Sequence, residues 1–225
     1  MTPGTLYIIS TPIGNFKDIT LRALNMLEKA DAVICEEFRE ASTLLKKIGI
    51  ADKQLLQLNE HNEVEIAEEF VMQLINGQTL ALISDAGTPA FADPGTTLIR
   101  RCMELQIPVE AIPGPSSLMA AISLSPYPLD EFFFAGFPPR KEDQRRNKFN
   151  LLKRLNTSIV LMDTPYRLGK LLDEVKEFFG AGKLITLAID LTQKNESVIH
   201  GPVQEVIKKA NSRKGEFILI LHQIR

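Results

Sequence analysis

Short apolar runs bounded by turn residues alternate along this chain with segments whose apolar residues recur every three or four positions, and that alternation narrows the possible folds most. "TLYII" (5–9), "AVIC" (32–35), "LLQL" (55–58) and "LALIS" (80–84) are too brief for helices and too apolar for strands with a wet face. They predict strands buried on both sides. Between them, "TLRALNMLEKA" (20–30) and "EVEIAEEFVMQLINGQ" (63–78) have helical spacing, with Gly77 near a stop. Strand and helix in alternation imply an α/β unit on a largely parallel sheet. The second half repeats the theme with strands at "FFFAG" (132–136), "SIVLM" (158–162), "LITLAI" (184–189) and "FILIL" (217–221), and a helix at "YRLGKLLDEVKEFF" (166–179). Pairing of the last strand with "ESVIHG" (196–201) would make this second sheet mixed. With 225 residues there is room for two compact lobes. The Pro-rich passage "IPVEAIPGPSS" (107–117) is the expected joint, giving an N-terminal α/β domain over 1–112 and a C-terminal one over 113–225.

Composition removes several classes of function. The formal net charge is −2, so no global charge argues for nucleic acid. Cys35 and Cys102 stand far apart in apolar segments, without metal-ligand spacing, and predict buried, reduced thiols in a reducing cytoplasm. No metal site is expected. No run approaches membrane-spanning length, and the N-terminus lacks the pattern of a signal peptide.

Three loops carry the chemical interest. In "YIISTPIGNFKDIT" a strand enters a tight Gly turn, and Asp18 is placed to cap a helix starting near Ile19. Neither GxGxxG nor GxxxxGK[ST] is present, so the dinucleotide and P-loop readings lack their glycines. In "ALISDAGTPAFADPG" (81–95) a strand is followed by Asp85-Ala86-Gly87-Thr88-Pro89 and then Asp93-Pro94-Gly95, two turns within a few residues at a strand's carboxyl end, where α/β sheets bind ligands. Either turn alone suits a plain structural role with an Asp helix cap; together they favour a site. "PGPSS" (113–117) leads into a helix start whose Ser116 and Ser117 suit a ligand carboxylate or ribose, and equally N-capping.

Taken in order, "LYIISTPIGNFKDITLRAL", "LISDAGTPAFADPG", "IPGPSS" and "FFFAGFPPRK" resemble the successive motifs of the tetrapyrrole methylase superfamily, most closely its ribosomal RNA small-subunit methyltransferase I branch. The likeness continues through "NEHNE" (59–63), "TPYR" (164–167) and "KGEFILIL" (214–221). It implies an S-adenosylmethionine-dependent methyltransferase of two α/β lobes with a cofactor cleft between them, usually a homodimer. In that branch the acceptor is the ribose 2′-hydroxyl of a cytidine in the decoding region of small-subunit ribosomal RNA, met as naked RNA or in the assembled subunit.

Carried over by position, the resemblance assigns Ile13, Asp85, Gly87, Thr88, Phe91, Ser116, Ser117, Met162 and Ala188 to the cofactor. Transfer from adenosylmethionine requires alignment of the partners and removal of the ribose proton. Glu36, Glu60 and His61 are the candidate bases, with Arg39 and Arg140 available to position phosphates. The stretch 139–154 holds seven basic residues against two acidic ones, and Arg140, Lys141, Arg145 and Arg146 are the expected RNA contacts. An ordinary solvated helix face is the competing reading. His200 and His222 are expected to be structural.

The chain departs from the branch where acceptor would sit. Glu36-Glu37-Phe38-Arg39 stands for Glu-Asp-Thr-Arg, Asp163-Thr164 for Glu-Ser, and Ile189-Asp190-Leu191-Thr192-Gln193 for Arg-Glu-Leu-Thr-Lys; many relatives also extend further at the C-terminus. A small-molecule methylase, or a paralogue that binds RNA without efficient catalysis, therefore stays open beside the RNA methyltransferase.

Overall fold

The computed structural model describes residues 2–50, 52–210 and 213–224. Contacts divide the chain into two compact units, 1–116 and 117–225.

The first unit holds five parallel strands: β1 (Leu6–Ile9), β2 (Ala32–Cys35), β3 (Gln54–Gln57), β4 (Leu80–Ile83) and β5 (Val109–Ile112), in the order β3-β2-β4-β1-β5. β5 falls inside the passage read from sequence as an interdomain joint. It is an edge strand with half of its residues exposed, so it lacks the continuous apolar run that marks the inner strands. Helices α1 (Leu21–Lys29) and α2 (Phe38–Lys47) pack Ala23, Leu27, Ala41, Leu44 and Leu45 against Ile9, Val33, Ala81 and Ile83. Helices α3 (Glu63–Ile75) and α4 (Thr96–Glu104) pack Phe70, Leu74, Leu98 and Cys102 against Leu6, Ile34, Leu80 and Leu82. Successive strand residues point to opposite faces, so these are the two faces of one sheet, and the sheet is doubly wound.

The cap of α1 differs from the sequence expectation. Thr20 Oγ1 accepts the Ala23 N–H at 3.1 Å, while Asp18 lies in a short 3-10 turn over Phe16–Asp18. A hydroxyl directly before the first helical residue is nearer the orphan donors than a carboxylate two residues earlier.

The second unit has a mixed sheet of β6 (Phe132–Gly136), β7 (Ser158–Met162), β8 (Leu184–Ile189), β9 (Ser197–Pro202) and β10 (Phe217–Leu221), ordered β6-β7-β10-β8-β9. Only β6 and β7 are parallel; β10 runs antiparallel to both of its neighbours. β9 pairs with β8, and β10, the partner expected from sequence, is enclosed between β7 and β8. Helices α5 (Ser117–Ser123), α6 (Glu142–Leu152), α7 (Leu168–Phe179) and α8 (Val203–Ala210) complete the unit. α6, α7 and α8 cover one sheet face with Phe149, Leu171, Val175, Phe178 and Val206.

Both cysteines are free and buried; burial pushes the Cys35 thiol up to about 12 and the Cys102 thiol to about 11. His222 is buried with its Nε2 2.7 Å from Thr186 Oγ1, and His200 Nδ1 lies 3.0 Å from the same hydroxyl. Burial lowers the His222 pKa to about 4, so this ring is neutral at physiological pH. Among the described residues no helix is long and apolar enough to cross a membrane, and no cluster of His, Cys, Asp and Glu suits a metal ion.

Candidate cofactor and active site

The parallel strands of the first unit all end at the same edge, which gathers loops that are far apart in sequence. At its centre β1 and β4 lie side by side but lead to α1 and α4 on opposite faces of the sheet. Two neighbouring strands whose connections diverge leave a crevice beyond their carboxyl ends, the usual ligand position in such sheets.

The loops after β1, β4 and β5 are tied together across this crevice. Thr11 and Gly87 exchange backbone hydrogen bonds of 2.8 and 3.2 Å, and Thr11 Oγ1 donates to the Ser84 carbonyl at 2.9 Å. Gly87 has φ +88°, and a Cβ there would stand 3.3 Å from Ile13 Cγ2. Thr88 Oγ1 lies 3.3 Å from Ser10 Oγ and 3.5 Å from the Pro115 carbonyl. Ile13, Gly87, Thr88 and the Pro113–Ser116 loop thus share one locality, and Asp85 and Phe91 stand on the same loop with exposed side chains.

Backbone strain in this loop was not legible in sequence. Ala90 and Ala92 have φ of +58° and +63°, a left-handed region that costs residues with a Cβ and gathers at ligand sites. The far end of the loop is held from another element: Glu63 Oε1, at the start of α3, accepts the N–H groups of Gly95 and Thr97 at 3.0 and 2.7 Å. Asp93, the expected cap of α4, turns instead to the Ser84 hydroxyl at 2.5 Å. Glu63 is the residue that sequence reasoning missed, because its partners lie over thirty positions away.

The loop after β2 joins the same edge. The Glu37 N–H donates to Asp85 Oδ1 at 3.4 Å, and the Glu36 carbonyl accepts from Gln57 Nε2 at 3.1 Å. Partial burial, followed by the charges of Asp85, Asp93, Glu37 and Glu60, raises the Glu36 pKa. Desolvation also raises those of Asp85 and Asp93. Glu60 and His61 occupy an exposed turn after β3, with His61 Nε2 3.6 Å from Glu60 Oε1, and Arg39 is exposed in the first turn of α2.

In the second unit, Met162 and Ala188 are the register partners of Ile218 on either side. Strand alternation turns all three away from the face covered by α6 and α7. Ser117 is the first residue of α5.

The basic stretch 139–154 forms α6 and its approach, and here one expectation is overturned. Arg145 is 1 % exposed. Its Nε and Nη2 donate to Glu174 at 2.7 to 2.9 Å, Nη2 lies 2.9 Å from Asp163 Oδ2, and Nη1 is 3.4 Å from the carbonyls of Pro138 and Pro139. Burial alone would depress this guanidinium, but Glu174 and Asp163 outweigh it and raise its pKa. No surface is left on Arg145 for a phosphate. Arg140 and Lys141 are exposed, and Arg146 is exposed while pairing with Glu177 at 3.0 Å and lying over the Phe178 ring.

Comparison with known proteins agrees with this architecture. The structure resembles a diphthine synthase (TM-score 0.75, 14% identity, covering 97% of this chain and 90% of that one) and the uroporphyrin-III-C-methyltransferase of Thermus thermophilus (TM-score 0.65, 19% identity, 98% and 94%). The fold is that of the two-lobed α/β methyltransferases, which take their methyl group from S-adenosylmethionine. Residues 5–207 match the tetrapyrrole (corrin/porphyrin) methylases, and the chain belongs to that family. Among curated relatives, proteins named ribosomal RNA small subunit methyltransferase I are 38% identical in Xylella fastidiosa (98% of this chain, 82% of the relative), 40% in Neisseria meningitidis (97% and 76%) and 37% in Escherichia coli O157:H7 (97% and 77%).

Proposed function

We propose that this methyltransferase acts on small-subunit ribosomal RNA in the cytoplasm as a homodimer, methylating the 2′-hydroxyl of a cytidine ribose. One observation carries the reading: identity of 35–40% to ribosomal RNA small subunit methyltransferase I relatives along nearly the whole chain.

The residues at the carboxyl edge of the first sheet suit the cofactor chemically. Burial raises the pKa values of Glu36, Asp85 and Asp93, and the charges of Asp85 and Asp93 add to the shift at Glu36, so a cationic ligand with a sulfonium and an ammonium would favour the ionised carboxylates. Gly87 keeps open a space that a side chain would fill, and Thr88 offers a hydroxyl at its margin. Ile13, Asp85, Gly87, Thr88, Phe91 and Ser116 would hold adenosylmethionine. When bound, the cofactor supplies an activated methyl group. The chain's own task is then to orient the ribose and take its proton, for which Glu36 is the best-placed carboxylate. Arg140, Lys141 and Arg146 remain to meet phosphates.

Gly87→Val is expected to weaken adenosylmethionine binding by tenfold or more in calorimetry. A β-branched residue resists positive φ, and its bulk meets Ile13. Wild-type affinity would remove this loop from the cofactor site. The acceptor is tested by transfer from labelled adenosylmethionine to unmodified small subunits and to their naked RNA, read by nucleoside mass spectrometry. A 2′-O-methylated cytidine is the expected product. Transfer to neither, with cofactor bound, would refute the RNA assignment.

A further inference from the structure

At the end of the second sheet where β7 and β8 stop and β10 starts, several side chains serve neither the core nor the buried ion pairs. Tyr166, in the 3-10 turn after β7, is 84 % exposed, more than any other large apolar or aromatic residue described. Lys214 Nζ stands 5.8 Å from the centre of its ring. Arg213 precedes it, both are exposed, and among the described residues no ion pair engages either cation. Arg213 and Lys214 line a shallow pocket of about 450 Å3 with Asp190, Asn195 and Glu196.

One of the two acids of this pocket is held by the backbone. Glu196 Oε2 accepts the Thr192 N–H at 2.6 Å. The Asp190 carboxylate lies against Gly215, where a Cβ would fall 2.3 Å from Asp190 Oδ1. Arg213 and Lys214 thus present two exposed cations beside an aromatic ring. Arg167, the residue after Tyr166, is steered by Asp163, whose Oδ1 is 3.7 Å from Arg167 Nη1 and accepts the Thr164 N–H at 2.9 Å. The departures from the family pattern at 163–164 and 189–193 both border this surface.

An exposed aromatic ring beside unpaired cations has the two elements that bind single-stranded nucleic acid: a platform on which any base can stack, and charges for the backbone. We propose that this surface binds a single-stranded stretch of the acceptor RNA, with one base on Tyr166 and adjacent phosphates on Arg213 and Lys214. The proposal rests on the RNA acceptor inferred above.

The test uses the full chain and a fluorescein-labelled single-stranded oligocytidylate, followed by anisotropy over a range of salt. Tyr166→Ala is expected to weaken binding by roughly five- to a hundredfold, the range of a lost base–aromatic stack. Tyr166→Phe keeps the ring and should bind like the wild type. Replacing Arg213 and Lys214 together by Gln should reduce the logarithmic salt slope by roughly 1.4, or ~0.7 for each phosphate lost. Unchanged affinity for Tyr166→Ala, equal losses for Ala and Phe, or an unchanged salt slope would each overturn the proposal. Methyl transfer is read separately on wild-type protein. If it occurs while Tyr166→Ala binds RNA normally, this surface falls and the acceptor stands. If no RNA is methylated but Tyr166→Ala loses the oligonucleotide, the surface stands and the acceptor assignment falls.

Discussion

Arg145→Ala is expected to lower the unfolding temperature of the second unit by about 10 °C or more. The guanidinium lies between Glu174 and Asp163 with almost no exposure, and its removal leaves two carboxylates facing each other in the protein interior. Breaking a buried pair from one side typically costs ~3–5 kcal/mol. Arg145→Met combined with Glu174→Met should recover part of the loss, because that variant removes buried charge as well as attraction. Arg146→Ala, at an exposed pair, should change stability by no more than about 1 kcal/mol. Thermal unfolding followed by circular dichroism separates the cases, and an Arg145→Ala protein melting within 2 °C of wild type (a shift of roughly 0.5 kcal/mol) would contradict the structural role. A double Ala variant at 145 and 146, the obvious probe of RNA binding from sequence, would therefore report unfolding.

Glu36→Gln is expected to slow methyl transfer by roughly 10²- to 10⁴-fold, the usual contribution of a general base, while cofactor affinity changes by less than about tenfold. The amide keeps the shape and cannot accept the ribose proton. Because burial and the neighbouring carboxylates raise the Glu36 pKa, the acidic limb of the wild-type rate profile should lie above the ordinary carboxylate range. Activity is lost as pH falls through that value, since only the ionised form is a base. The stability effect has the opposite sign: a raised carboxyl pKa means that the folded protein holds a proton the unfolded chain releases, so stability is lost as pH rises through the folded value. Glu36→Gln should thus be more stable than wild type above that pH and equal to it well below. Retention of wild-type kcat by Glu36→Gln would leave the base to another residue.

Much of the fold can be read from the chain because the inner strands are continuous apolar runs and the helices between them are periodic. β5 escaped because an edge strand interrupted by Glu110, with Pro108 just before it, resembles a linker. The partner of β9 escaped because both β8 and β10 offer apolar surface and only the assembled sheet chooses between them. Arg145 had a usable signal: it precedes Phe149 and Leu152 by four and seven residues and so shares their buried helical face, where a lone cation demands buried acids. Of the candidate site, Ile13, Gly87 and Thr88 lie on loops whose turn residues announce them. The Glu63 cap and the strained alanines depend on long-range contacts and carry no local mark.

The strand order has a consequence for synthesis. β1 leaves the ribosome first of the five parallel strands, but its two neighbours are β4 and β5, the last two to follow. Until residues near Ile112 have emerged, one or both edges of β1 stay open, and until β4 has followed, β2 and β3 can pair only with each other. The crevice beyond β1 and β4 is thus among the last features of its unit to form, and a nascent chain halted before β5 should expose an apolar strand edge to chaperones and to other chains.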